Sequence, residues 1–217
     1  MRGFRNELPA RFAVIDCPSV RVTSDRAAHD ALQACAQTYH DTYSPDGGGA
    51  PGAVPGADAA RTIFRALGLD PTKRRPSSES LLRRALRGME QPHVNNVVDA
   101  LNLVSLRTLL PLGLYDTAAL QGDVVARVGV EGEAYDALTG SSLALTGRPL
   151  LADGVGPFGT PITDSVRTAI TSDTTACVVY LYAPESIDVA ELQTHAAFAE
   201  TCLRDFCDGA ACTISPG

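Results

Sequence analysis

The chain has no tryptophan, only 6% aromatic residues, and a single lysine, Lys73, against seventeen arginines. Schiff-base or lysine-phosphate chemistry would rest entirely on Lys73, which sits in a Pro-flanked polar stretch rather than the apolar pocket such chemistry needs. No apolar run approaches the roughly 18 residues of a membrane-spanning helix, so no membrane partner is expected. Arg2, Arg5, Glu7 and Arg11 interrupt the start, which therefore lacks the charged-then-apolar layout of a secretion signal. The expected location is the cytoplasm. Among six cysteines there is no CxxC pair. Cys202, Cys207 and Cys212 are five apart, and on a helix each such step turns roughly 140°, which disperses the sulfurs. His195 adds no zinc-finger spacing. Free thiols are expected, with no metal and no cofactor. A serine-hydrolase elbow is also missing around Ser141, Ser142 and Ser165. The net charge of −7 gives no ground for expecting DNA as a partner.

With 45% hydrophobic and 20% charged residues over 217 positions, the chain is globular and of a length that suits one domain. Phe12 to Ile15 predicts a short strand, Asp25 to Tyr43 a helix, and the Gly- and Pro-rich run 44–57 a loop. Asp58 to Leu67 predicts a short helix. Ser77 or Ser78 is placed to cap another, in which Leu81, Leu82, Ala85, Leu86 and Met89 form the buried stripe. From Val124 to Val130 the period drops to two, and short strands are predicted around 134–138, 143–145 and 150–152. Thr174 to Tyr182 is the strongest strand pattern, β-branched and aromatic. A helix over about 188–208 closes the chain, capped by Asp188 with Glu191 three residues later. The order of elements predicts a single α+β domain over 1–217, with a mixed, partly barrel-like sheet core flanked by helices.

Pro92 to Asp116 reads as an apolar helix carrying one polar stripe. Val94, Val97, Val98, Leu101 and Val104 recur at the spacing of a buried face. Asn95, Asp99 and Asn102 share the same spacing on another side. Short amides and a carboxylate among Val and Leu differ from the long charged side chains of a solvated face, and suit either an internal hydrogen-bond network or a ligand. His93 stands just before them, placed to cap the helix or face a pocket. Gly154 to Gly159 matches GxGxxG, but Pro157 removes an amide and no helix follows, so a Gly-rich loop at a pocket rim fits better than a dinucleotide cradle. Residues 61–90 hold eight basic and three acidic groups. Lys73, Arg74, Arg75, Arg83, Arg84 and Arg87 are the candidate phosphate contacts, with a solvated helix face as the competing explanation.

Pro92, Asn95, Val97, Val98, Asp99, Asn102, Val104, Leu106, Pro111 and Asp116 together resemble the signature of the B3/B4 domain. This is the editing and tRNA-associated domain of the phenylalanyl-tRNA synthetase β subunit, which also occurs in freestanding form. Asp70 to Lys73, Pro76 to Arg84, Asp153-Gly154, Asp164 to Thr168 and Thr171 to Thr174 extend the resemblance over about 60–183. It implies a B3/B4-like fold, tRNA or aminoacyl-tRNA as partner, and hydrolysis of a mischarged aminoacyl ester. The alternative is an amino-acid-like small ligand held without RNA. The resemblance assigns catalysis to Asn102, with Asp99 as a second catalytic candidate, a base, whose main expected role is to cap or anchor the helix. It places Asn95, Gly113, Gly156, Gly159, Asp164, Ser165, Arg167 and Thr168 around the substrate, with Asp164 on its ammonium. Three positions depart from the synthetase pattern. Gly113 stands where the editing domain has a histidine, Leu101 where it has a threonine, and Arg167 where an acidic residue reads a tyrosine hydroxyl, so tyrosine specificity is not carried over. Freestanding relatives share the change around Arg167, which implies a different ligand.

Overall fold

The structure, a computed structural model, describes residues 2–216. A four-stranded antiparallel sheet forms its centre, built from β2 (Arg11–Cys17), β3 (Leu112–Asp116), β9 (Cys177–Ala183) and β10 (Thr213–Pro216) in the order β10-β2-β9-β3. Every residue of β9 is buried. An antiparallel strand buried along its whole length must be covered on both faces, and two different layers do this. On one side lie the helices α1 (Ala27–Tyr43), α4 (Asn96–Thr108) and α5 (Val189–Cys207), with α5 against β2 and α4 between its two partners. On the other side lies a second sheet, β1 (Phe4–Asn6), β4 (Val124–Val128), β7 (Pro149–Ala152) and β8 (Pro157–Gly159), in that order.

Aromatic rings join the sheets. Phe4 meets Phe12 at 5.2 Å and Tyr180 at 5.3 Å between centroids, and Phe158 meets Tyr115 edge-on at 4.7 Å. Such tilted and edge contacts add to the burial of large rings, so the few aromatics of this chain are concentrated where the layers touch. A hairpin of β5 (Ala134–Asp136) and β6 (Ser142–Ala144) packs a small satellite core of Tyr135, Ala137, Leu145, Leu150 and Ala152. The remaining helices are α2 (Ala59–Ala66) and α3 (Ser77–Leu86). The fold is a mixed α+β domain as expected. Its sheets remain separate and do not close into a barrel.

The predicted helix Pro92 to Asp116 is corrected. It ends at Thr108, because Leu109 takes the left-handed conformation at φ 59° and Pro111 follows with no amide to offer. Leu112–Asp116 is instead an edge strand on β9. Helix α3 begins behind Pro76 with no side-chain cap, so neither Ser77 nor Ser78 caps it, and Met89 is 45% exposed beyond its end. Asp188 does cap α5, accepting from the amides of Ala190 and Glu191. All six cysteines are free thiols.

Candidate functional site

The polar stripe of α4 divides into two functions. Asn95 caps the helix by accepting from the Val98 amide at 2.9 Å. Asp99, fully buried, accepts from the Val94 amide at 3.0 Å through Oδ1 and lies 2.5 Å from His93 Nδ1 through Oδ2. Asn96, which carries no part in the sequence argument, is equally committed. Its amide donates to the carbonyls of Arg21 and Phe206 and accepts from Thr23, tying the helix start to the segment before α1 and to the end of α5. Only Asn102 turns toward open space.

That space is a cavity of about 360 Å³ between α4, β3 and the 164–170 segment, lined by Val98, Leu101, Asn102, Ser105, Leu112, Leu114, Leu138, Asp164 and Ile170, with Val94 at its rim. Val94 is 62% exposed, contrary to its expected place on the buried face. The walls are mainly apolar, and Ser105 spends its hydroxyl on the Leu110 carbonyl. Ser77 joins the lining from the exposed start of α3, and Asn102 and Asp164 are the polar groups presented by α4 and the 164–170 segment. A larger cavity of about 730 Å³ lies between α1, α4 and α5, where Arg107 stacks over Phe198 at 4.6 Å. Its polar lining is Thr38, Tyr39, Thr42, Tyr43, Arg107, Thr201 and Asp205, none of them among the residues that carry the family resemblance.

Asp164 is held from several sides. Its carbonyl accepts from the Leu138 amide, Tyr135 donates to the neighbouring Thr163 carbonyl at 2.6 Å, and Tyr115 donates to Asp164 Oδ1 at 2.6 Å. Desolvation pushes the Asp164 carboxyl up to about 7, against the lowering effect of the Tyr115 hydrogen bond. Burial, with the Asp164 charge behind it, holds the Tyr115 phenol well above its ordinary range, so it remains a donor. A carboxyl raised to about 7 in a mainly apolar cavity exchanges its proton near neutrality.

Tyr115 also explains two glycines. A Cβ on Gly113 would come within 2.1 Å of the Tyr115 hydroxyl oxygen, and a Cβ on Gly159 equally close. Residues two apart on a strand share a face, so the Tyr115 ring lies over Gly113 and passes beside Gly159 to reach Asp164. Neither glycine lines the cavity.

Four other expected ligand contacts are spent internally. Arg167 grips Asp153 with both Nη atoms at 2.9 and 3.1 Å and donates to the Ala119 carbonyl at 2.8 Å. Asp153 additionally accepts from the amides of Gln121, Val155 and Gly156. Its own burial raises its pKa, but Arg167 and these amides outweigh that and hold it below the usual carboxylate range. The Gly156 amide thus serves Asp153 rather than a ligand. Ser165 accepts from the Arg167 amide, and the fully buried Thr168 lies against the Phe158 carbonyl.

The basic segment is partly neutralised within the protein. Glu79, whose side chain is 1% exposed, pairs with Arg61 at 2.6 Å, Arg83 at 2.8 Å and Arg75 at 3.8 Å. Arg84 donates to the Glu90 carbonyl. Lys73, Arg74 and Arg87 are exposed and form no ion pair among the described residues.

Residues 59–205 match the B3/4 domain family model. The chain belongs to the B3/4 domain family. No curated protein matches it significantly. Among solved structures it is similar to an N-terminal fragment of the phenylalanyl-tRNA synthetase β subunit from Pyrococcus horikoshii, at 13% identity and a TM-score of 0.47. That alignment covers 98% of this chain and 50% of the other, so the chain spans about half that fragment's length.

Within the B3/4 scaffold, the residue that sequence reasoning missed is Tyr115. Its signal was present as the pair Gly113 and Tyr115, but it becomes legible only once this stretch is a strand rather than a helix. The space above Gly113 is occupied, and what fills it is the phenol that supports Asp164.

Proposed function

We propose that this B3/4 domain receives the aminoacyl group of an aminoacyl-tRNA in the cavity between α4 and β3 and promotes hydrolysis of its ester in trans. The observation that carries the reading is that Asn102 and Asp164 line one mainly apolar cavity. Asp164, supported by Tyr115, takes the ligand ammonium. The apolar walls take a side chain of modest size, and Asn102 orients the ester carbonyl or the attacking water. An aminoacyl ester is already activated, so positioning and polarisation supply rate without a protein nucleophile. Water adds to the carbonyl, the acyl–oxygen bond breaks, and the ribose hydroxyl leaves with a proton.

A second reading, a receptor for a free amino-acid-like molecule, is favoured by one observation: Arg61, Arg75 and Arg83 surround Glu79, which reduces the charge left for a phosphate backbone. A panel of correctly and wrongly charged tRNAs separates the two. The first reading expects ester loss above the buffer rate for at least one charged tRNA, cut at least tenfold in Asn102→Ala. Such a loss corresponds to about 1.4 kcal/mol of transition-state stabilisation. Ester stability throughout, with thermal stabilisation by a free amino acid but not by tRNA, would establish the second reading in its place.

A further inference from the structure

We propose that His29, His93 and Asp99 bind a divalent cation of the zinc class, at a site separate from the cavity described above. His29 lies on α1, while His93 and Asp99 come from the approach to α4 and its first turn, so 64 residues of chain separate the two histidines. One ligand atom from each of the three residues lies within 4.8 Å of the other two. Bonds of roughly 2.1 Å in tetrahedral geometry need ligand atoms about 3.4 Å apart. A rotation of His93, whose side chain is 26% exposed at the surface end of the group, would reach that spacing by exchanging its 2.5 Å hydrogen bond to Asp99 for the ion.

The independent pointer is His29. Its side chain is 1% exposed, yet neither ring nitrogen has a hydrogen-bond partner. A neutral imidazole carries one donor and one acceptor, and leaving both dry is costly in a protein interior. The carboxylate nearest to it, Glu90 Oε1 at 3.6 Å from Nε2, is beyond hydrogen-bond range. A cation accepting the ring lone pair satisfies the acceptor nitrogen. The rest of the shell is prepared for it. Asp99 Oδ1 is fixed by the Val94 amide, which leaves Oδ2 directed at His93, and the His93 ring stands edge-on to His29 at 5.1 Å. Glu90 or a water completes four-coordination. Two imidazole nitrogens with one carboxylate suit zinc-class ions, whereas calcium and magnesium require oxygen shells. Bound metal would fasten α1 to the 90–95 segment, including Val94 at the cavity rim.

The test uses chelator-treated full-length protein titrated with Zn²⁺, Co²⁺ and Mg²⁺ by calorimetry, with Co²⁺ also followed by absorption. One equivalent of Zn²⁺ or Co²⁺ should bind, raise the melting temperature, and give visible bands without sulfur charge transfer. His93→Ala should weaken binding at least tenfold while leaving the metal-free circular dichroism spectrum unchanged. His29→Leu, which fills the same buried space without a polar ring, should abolish binding and keep the fold. The proposal is overturned by absence of saturable Zn²⁺ and Co²⁺ binding, or by undiminished binding in His93→Ala. It is equally overturned by a preference for Mg²⁺, or by a sulfur charge-transfer band that moves the ion to the free cysteines.

Discussion

The carboxyl of Asp164 is pushed up to about 7 by burial, so its effect on stability runs opposite to that of an ordinary paired aspartate. Between the unfolded value near 4 and the folded value, the native state holds the extra proton, and stability falls as pH rises through that window. Asp164→Asn should remove the fall, making the protein more stable than wild type at pH 8 by on the order of 2 kcal/mol and no more stable at pH 4. Urea melts at the two pH values check this. Gly113 offers a second test at this scale, because any side chain there meets the Tyr115 hydroxyl. Gly113→Ala should cost about 2 kcal/mol or more by forcing the buried ring aside and breaking its bond to Asp164. In a Tyr115→Ala background the same change should be nearly neutral, so a double-mutant cycle by denaturation should show strong coupling. Additive effects would mean that the ring does not occupy that space.

Among the elements, α3 depends on a buried charge. Burial raises the pKa of Glu79, but hydrogen bonds from Arg61 and Arg83 outweigh it and hold the carboxyl below its usual range. The resulting stability is present above the unfolded value and is lost as pH falls through it toward the folded one. Removing Arg61 leaves the carboxylate with a poorer set of partners, so Arg61→Ala should destabilise by about 3 kcal/mol in chemical denaturation at neutral pH. Elements with strong periodicity were legible in the chain. The alternation from Val124 is buried at Val124 and Ala126 but exposed at Val128 and Val130, the β-branched run is buried from Cys177 onward, and the helix predicted over about 188–208 forms as α5. Strands β1, β8 and β10 were not legible, since, unlike the equally short β5, β6 and β7 that sit in apolar runs, each offers a single large apolar side chain, Phe4, Phe158 or Ile214. Strand β3 was hidden because its leucines continue the helical rhythm of α4, and only the break at Leu109 and Pro111 separates them.

For the whole molecule, net charge and local charge pull apart. The chain carries −7 overall, and of the six candidate phosphate contacts only Lys73, Arg74 and Arg87 are both exposed and without an ion pair among the described residues. Phosphate contacts limited to about three should give tRNA binding a shallow salt dependence, a log–log slope of about −2 to −3. Reversing those three charges should abolish tRNA binding and leave binding of a free amino acid unchanged, measured by filter retention and thermal shift. Retention of tRNA by the reversed protein would place the footprint elsewhere.

Composition and period determined that the chain folds as an α+β domain, that no helix is long and apolar enough to cross a membrane, and that Val97, Leu101 and Val104 share a buried face of α4. The residues around Asn102 carried the family resemblance. Tertiary structure decided which polar groups remained available for chemistry. Asn95, Gly156, Ser165, Arg167 and Thr168 are consumed by capping, anchoring and ion pairing, and Asp99 is turned to His93 rather than to the cavity. Asn102 and Asp164, far apart in the chain, line one cavity. The reason is that a polar residue's spare hydrogen-bonding capacity depends on which distant groups the fold brings to it, and no local spacing encodes that.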